Sequence, residues 1–164
     1  MVFTQHYGSP LGGISMVADE QGLMGVWFDG QKYFANHLPA EHIERETPVL
    51  AETKRWLDRY FRGEDPGPLP PLHPIGTAFQ REVWDILRTI PYGMTTTYGA
   101  IARRLAAQRG IARMSAQAVG GAVGHNPISI LIPCHRVLGA DGSLTGYAGG
   151  IGKKEKLLAI EQHL

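Results

Sequence analysis

The chain has 164 residues, of which 43% are hydrophobic and 19% charged, with a formal net charge of +1. That apolar share supports a packed core and argues against wholesale disorder. A single cysteine, Cys134, excludes an internal disulfide framework and a four-thiolate zinc site.

The N-terminus, MVFTQHYGSP, lacks a basic start followed by an apolar run, so no signal peptide is expected. The densest apolar run, ISILI at 128–132, is far too short to cross a bilayer, and the cytoplasm is the expected compartment. The stretch GGISMVADEQGLMGVWFDG has two apolar runs around Asp19-Glu20-Gln21-Gly22, which predicts a hairpin. Residues 48–61 read as a helix, with Thr47 as N-cap, Pro48 at the first position, and Leu50, Thr53, Leu57 and Tyr60 at helical spacing. Trp56, Tyr60 and Phe61 are assigned to the core rather than to chemistry. Five prolines between Arg62 and Gly76 forbid helix and central strand, so 63–76 is a linker or a long surface connection.

The charge divides at the same place. Residues 1–74 carry six basic and ten acidic residues, a balance of −4. Residues 75–164 carry ten basic and five acidic, a balance of +5. Such asymmetry suggests a polyanion as partner of the C-terminal part, although ordinary scatter of solvated charge produces the same numbers. Helical patterns dominate there. Thr77-Ala78-Phe79-Gln80 has capping-box spacing, and Phe79, Val83, Ile86 and Ile90 form one face before Pro91-Tyr92-Gly93 stops the helix. A second helix is expected over 98–107, with Ile101 and Leu105 inward and Gly110 beyond its end. A third follows Ser115 as AQAVGGAVG. The last two outline a helix-turn-helix. Gly120, Gly121 and Gly124 cost the third helix about 1 kcal/mol each relative to Ala, so close approach to a DNA groove or to another protein element must compensate.

Beyond Asn126-Pro127, ISILI is expected to be a buried strand running into Pro133-Cys134-His135-Arg136-Val137. His135 and Arg136 flank Cys134, and both can favour a thiolate. Neighbours on a strand face opposite ways, so contact between Cys134 and His135 needs a turn begun by Pro133 or a bridging water. The glycine-rich SLTGYAGGIG presents Tyr147 and could wall a pocket for a flat ligand. KKEKLLAIE reads as a last helix, with Glu161 exposed on propensity alone. The histidines at 6, 37, 42, 73, 125, 135 and 163 share no ligand spacing with Cys134, so no metal site is expected.

At these residues the sequence resembles a family. NPISILIPCHRV followed by TGYAGG, and YGSPLGGISMVADEQGLMGVWF near the start, are similar to the methylated-DNA–protein-cysteine methyltransferases, which repair O6-alkylguanine. The resemblance spans essentially the whole chain and is strongest over 79–161. It implies an α+β fold: an N-terminal α/β domain over 1–62 with a small antiparallel, ribonuclease-H-like sheet, and a mainly helical DNA-binding and catalytic domain over 77–164. It implies a nucleotide flipped out of duplex DNA from the minor groove, and irreversible transfer of its alkyl group to Cys134 in a single turnover. His135 would deprotonate Cys134 through a water, oriented by Glu161, which the resemblance moves from surface to interior. Tyr98 would press on the target phosphate and help the guanine O6 leave as a hydrogen-bond donor, and Asn126 would close the recognition helix. Tyr147, Ala148 and Val137 would hold the flipped base. Ser115, Gln117, Ala118, Gly121, Gly124 and Arg136 would meet DNA. The resemblance implies no cofactor, no metal, no membrane, and a monomer acting on double-stranded DNA. Gln117 departs from the family's intercalating arginine. A non-catalytic lesion-binding protein and a helix-turn-helix regulator are the competing classes, and the presence of Cys134 argues against the first.

Overall fold

The computed structural model describes residues 1–31 and 38–163. Three strands, β1 (Phe3–Ser9), β2 (Gly12–Ala18) and β3 (Leu23–Phe28), form an antiparallel meander. The expected hairpin joins β2 to β3, and Asp19 Oδ1 closes its turn by accepting from the backbone N–H groups of Gln21 at 2.9 Å and Gly22 at 3.1 Å. A two-residue strand, β4 (Ile43–Glu44), adds beside β1 in parallel, so the sheet is mixed and its order is β3-β2-β1-β4. The expected small antiparallel sheet is the β1–β3 meander, and the parallel β4 is an addition at its edge. A parallel neighbour requires a long return, which the residues between β3 and β4 supply.

Helix α1 (Pro48–Phe61) packs on β1 and β2, and Thr47 caps it by accepting from Leu50 N. Residues 63–76 are not a free tether. Leu23 N donates to Pro71 O at 2.8 Å and His73 N to Leu23 O at 2.7 Å, so this segment covers part of the outer edge of β3.

Helix α2 (Ala78–Leu87) begins with both halves of the expected capping box. Helix α3 (Tyr98–Arg109) ends at Gly110 with φ +65°, the left-handed conformation that glycine adopts without a Cβ penalty. Helix α4 (Ala116–Gly124) lies against α3 and α2, where the Trp84 indole donates to Ala122 O at 2.9 Å. Strands β5 (Thr96–Thr97) and β6 (Val137–Leu138) form a short parallel pair, and α5 (Ile151–Glu161) closes the chain. One apolar cluster runs from Ile14 and Phe28 through Trp56 and Trp84 to Leu157, joining the sheet to all five helices. Among the described residues no helix is long and apolar enough to cross a membrane.

Candidate active site and DNA-facing surface

The expected strand over 128–132 is not formed. Ile128 makes one parallel bridge to Val26, and Ile130 then turns the chain at φ +71°. The run is buried, but its polar backbone is satisfied by turns. Leu131 N donates to Ser129 O, Ile132 N to Ile128 O and Cys134 N to Ile132 O. Asn126 holds the turns together. Its carboxamide N–H donates to Ile132 O at 2.8 Å and Ile128 O at 3.3 Å, and its oxygen accepts from Ile128 N at 3.0 Å. Edge strand β3 anchors the whole loop, through Val26 N to Pro127 O and Ser129 N to Val26 O. The sheet thus braces the segment that presents Cys134.

Pro133 does start a turn. Cys134–Arg136 form a single 3₁₀ turn, in which successive side chains are about 120° apart rather than opposed. Cys134 is 6% exposed and His135 is fully buried. The β5–β6 pair, with Thr96 opposite Val137, brings the start of α3 and therefore Tyr98 alongside this turn.

Behind the turn is a saturated carboxylate. Glu161, at the end of α5, is buried, as the resemblance implied and propensity did not. Its Oε2 accepts from His135 Nε2 and from the Tyr60 hydroxyl at 2.6 Å. Its Oε1 accepts from Arg136 Nε at 2.7 Å and from Gly93 N at 3.0 Å. Burial alone would raise its pKa, but the bonds from His135 and Arg136 prevail and hold it at about 2. Burial lowers the pKa of His135, against the pull of Glu161, and favours a neutral imidazole. With Nε2 bonded to the carboxylate, Nδ1 is the ring's remaining acceptor, and it is buried with no hydrogen-bond partner among the described residues.

Burial pushes the Cys134 thiol up, while the Asn126 side chain and the Lys154 charge pull it down. Lys154 gave no signal in the sequence beyond a place in a basic helix. It is completely buried, and its ammonium donates to Val137 O at 2.5 Å and Thr145 O at 2.8 Å. It ties the strand after the Cys134 turn to the glycine-rich loop that carries Tyr147.

One expectation is corrected here. Arg136 does not face outward to DNA. It is 6% exposed, bonded to Glu161 and donating to Ile90 O at 2.7 Å, with its guanidinium 5.9 Å from the centre of the Tyr92 ring. A cation adjacent to a buried carboxylate is drawn inward by the desolvation cost of leaving that charge unpaired.

Tyr98, Gly120, Gly121, Gly124, Tyr147 and Ala148 line a cleft of roughly 390 Å³. The Tyr98 hydroxyl donates to Thr145 O at 3.1 Å. Tyr147 is buried edge-on to His135, with ring centres 6.5 Å apart. Burial, and after it the Cys134 charge, pushes the Tyr147 phenol up. Val137 is buried, and its carbonyl already accepts the Lys154 ammonium.

On α4, Ser115, Gln117, Ala118 and Gly121 are exposed and Gly124 is half-buried. A Cβ added at Gly121 or Gly124 would meet no atom within 4 Å, and one at Gly120 would make only ordinary contact with the Tyr98 ring, at 3.8 Å. Packing within the chain therefore does not require these glycines. Among the described residues no group of three His, Cys, Asp or Glu side chains is placed to hold a metal ion, and His37 lies outside those residues.

Known proteins share the sequence and the fold of this chain. The DNA binding domain of 6-O-methylguanine DNA methyltransferase matches residues 78–163, and the ribonuclease-like domain of the same protein matches residues 2–67. A methylated-DNA–protein-cysteine methyltransferase of Haemophilus influenzae is 41% identical over 98% of this chain and 87% of its own. One from Mycobacterium tuberculosis is 51% identical over 99% of this chain and 93% of its own. The crystal structure of M. tuberculosis OGT in complex with DNA superposes with a TM-score of 0.84 at 37% identity, covering 98% of this chain and 93% of that one.

Proposed function

This chain belongs to the methylated-DNA–protein-cysteine methyltransferase family, and we propose that it repairs O6-alkylguanine by moving the alkyl group from DNA to its own Cys134. The observation that carries this reading is the buried His135–Glu161 pair directly after Cys134, with His135 edge-on to Tyr147 in the wall of a cleft that α4 also lines.

Duplex DNA lies against α4 through its minor groove. Ala118, Gly121 and Gly124 let the helix approach closely, and Gln117 fills the gap left by the flipped nucleotide. The target base enters the cleft between Tyr98 and Tyr147. His135 Nδ1 takes the Cys134 proton through one water, and Glu161 stabilises the imidazolium that forms. The thiolate attacks the alkyl carbon in line. A sulfur–carbon bond forms, the carbon–O6 bond breaks, and its electron pair stays on the guanine. The Tyr98 hydroxyl donates a hydrogen bond to the leaving O6, and the proton that His135 took from Cys134 passes through solvent to the guanine. Lys154 ties Val137 to Thr145 in the cleft wall and favours the thiolate by its charge. The lesion supplies the alkyl group, so the reading calls for no cofactor. The thioether left on Cys134 has no second thiol in the chain to remove it, so each molecule acts once. O4-alkylthymine presents the same alkyl–oxygen bond and is a second substrate. The protein acts as a monomer in the cytoplasm, where a lone thiol stays reduced.

Intact mass after incubation with a duplex carrying O6-methylguanine tests this reading. The wild type gains one methyl, mapped to Cys134, and Cys134→Ser gains none. Tight lesion-dependent binding with no mass change would instead identify a non-catalytic damage sensor.

A further inference from the structure

Tyr60 belongs to the sheet-bearing half of the chain, yet it ends in the middle of the machinery on the other side. It is fully buried on α1, stacked on Trp56 with ring centres 5.5 Å apart, and edge-on to both His135 at 6.3 Å and Tyr92 at 6.2 Å. A phenylalanine would fill the same ring space. The hydroxyl therefore needs its own explanation, since burying it costs free energy unless it is bonded. It donates to Glu161 Oε2 at 2.6 Å, the oxygen that also accepts from His135 Nε2, and its own oxygen lies 3.4 Å from that nitrogen.

We propose that Tyr60 is a positioning residue for the transfer step, which by sharing Glu161 Oε2 with His135 sets how firmly the carboxylate holds the imidazole and so how basic His135 is. The proposal rests on the reading that His135 accepts the Cys134 proton. A carboxylate oxygen that accepts a second strong donor offers less electron density to the first. Arg136 Nε and Gly93 N grip the other oxygen, so Glu161 keeps its place when the Tyr60 hydroxyl is removed. The loss alters the strength of the His135–Glu161 bond rather than its location. Burial, and after it the Glu161 charge, pushes the ionisation of Tyr60 far up, so the hydroxyl stays a donor throughout the working pH range. The other groups facing the pair are Arg136 in the 3₁₀ turn, Lys154 on α5, and Cys134, Tyr92 and Tyr147 around it. Each is retained in the test variant.

The test uses Tyr60→Phe in the full chain, with thermal melting as the check of fold. The single-turnover rate of methyl transfer from an O6-methylguanine duplex is followed against pH. The downfield proton resonance of the His135 imidazole is recorded separately, without DNA. With the competing donor gone, the midpoint of the acid limb rises by about half a pH unit or more. The resonance moves further downfield as the bond tightens. Placing 3-fluorotyrosine at position 60 keeps the ring and strengthens the donor, so both readouts move the opposite way. This second substitution also serves if Tyr60→Phe does not fold. An unmoved acid limb or resonance, or a shift opposite to the one stated, overturns the proposal even where rate or melting temperature falls. A wild type that takes up no methyl would sink the transfer reading instead, and the resonance would still decide whether Tyr60 weakens the His135–Glu161 bond.

Discussion

Glu161 accepts four hydrogen bonds on two oxygens, and this makes acid the natural enemy of the site. Its folded pKa of about 2 lies below its ordinary 4.5, so its share of stability is present above 4.5 and is lost as pH falls toward 2. His135 is depressed from 6.5 by burial, so the unfolded chain takes up that proton first. Its share is likewise lost as pH falls below 6.5. Both groups therefore act in the same direction. Glu161 alone accounts for up to about 3 kcal/mol of this pH-dependent stability. Glu161→Gln should melt lower than wild type at neutral pH and show a flatter pH dependence of melting between 4.5 and 2. Its methyl-transfer rate should drop by about 100-fold or more, because the imidazole loses the group that stabilises its charged form. An unchanged acid dependence of melting in this variant would show that the carboxylate is not the titrating group. Adjacency alone marked Cys134, His135 and Arg136 as a candidate cluster. The inward turn of Arg136 was not legible, because its partner Glu161 lies 25 positions away.

Among the elements, α4 carries the clearest conflict between stability and function. Gly121 sits on an exposed helical face with open space where a Cβ would go. Gly121→Ala should stabilise the fold by about 0.5–1 kcal/mol, since the variant loses less backbone entropy on folding. It should also bind lesion DNA more weakly, because the added methyl occupies the closest approach. Melting and equilibrium binding check the two halves of this prediction. Stabilisation with unchanged affinity would remove α4 from the groove. Gln117, on the same face, lacks the charge of the family's arginine. Gln117→Arg should speed repair, and an unaltered rate in a folded variant counts against its role in the stack. The helices were legible because their ends are written locally: the Thr47, Thr77 and Ser115 caps are all in place. The 128–132 run misled because a short apolar stretch has the same pattern in a buried strand and in a buried turn. Its turns depend on the Asn126 side chain and on a bridge to Val26, about a hundred residues earlier.

For the whole molecule, the two halves share one core and one site. Strand β3 anchors the loop before Cys134, and α1 delivers Tyr60 to Glu161. The change of composition and charge around 63–76 marked two regions but concealed this interdependence. Helical periodicity could report that Tyr60 is buried, not which residue it meets 101 positions later. Lys154 was hidden in the same way, as one basic residue in KKEK. On the proposed reading the molecule works as a unit: one thiol accepts one alkyl group and no more. Titrating a known amount of protein with excess O6-methylguanine duplex, and counting methyl groups lost from the DNA, tests this most directly. A plateau at one methyl per chain, absent in Cys134→Ser, is the predicted result. Continued removal beyond one per chain, or removal by the serine variant, would contradict it.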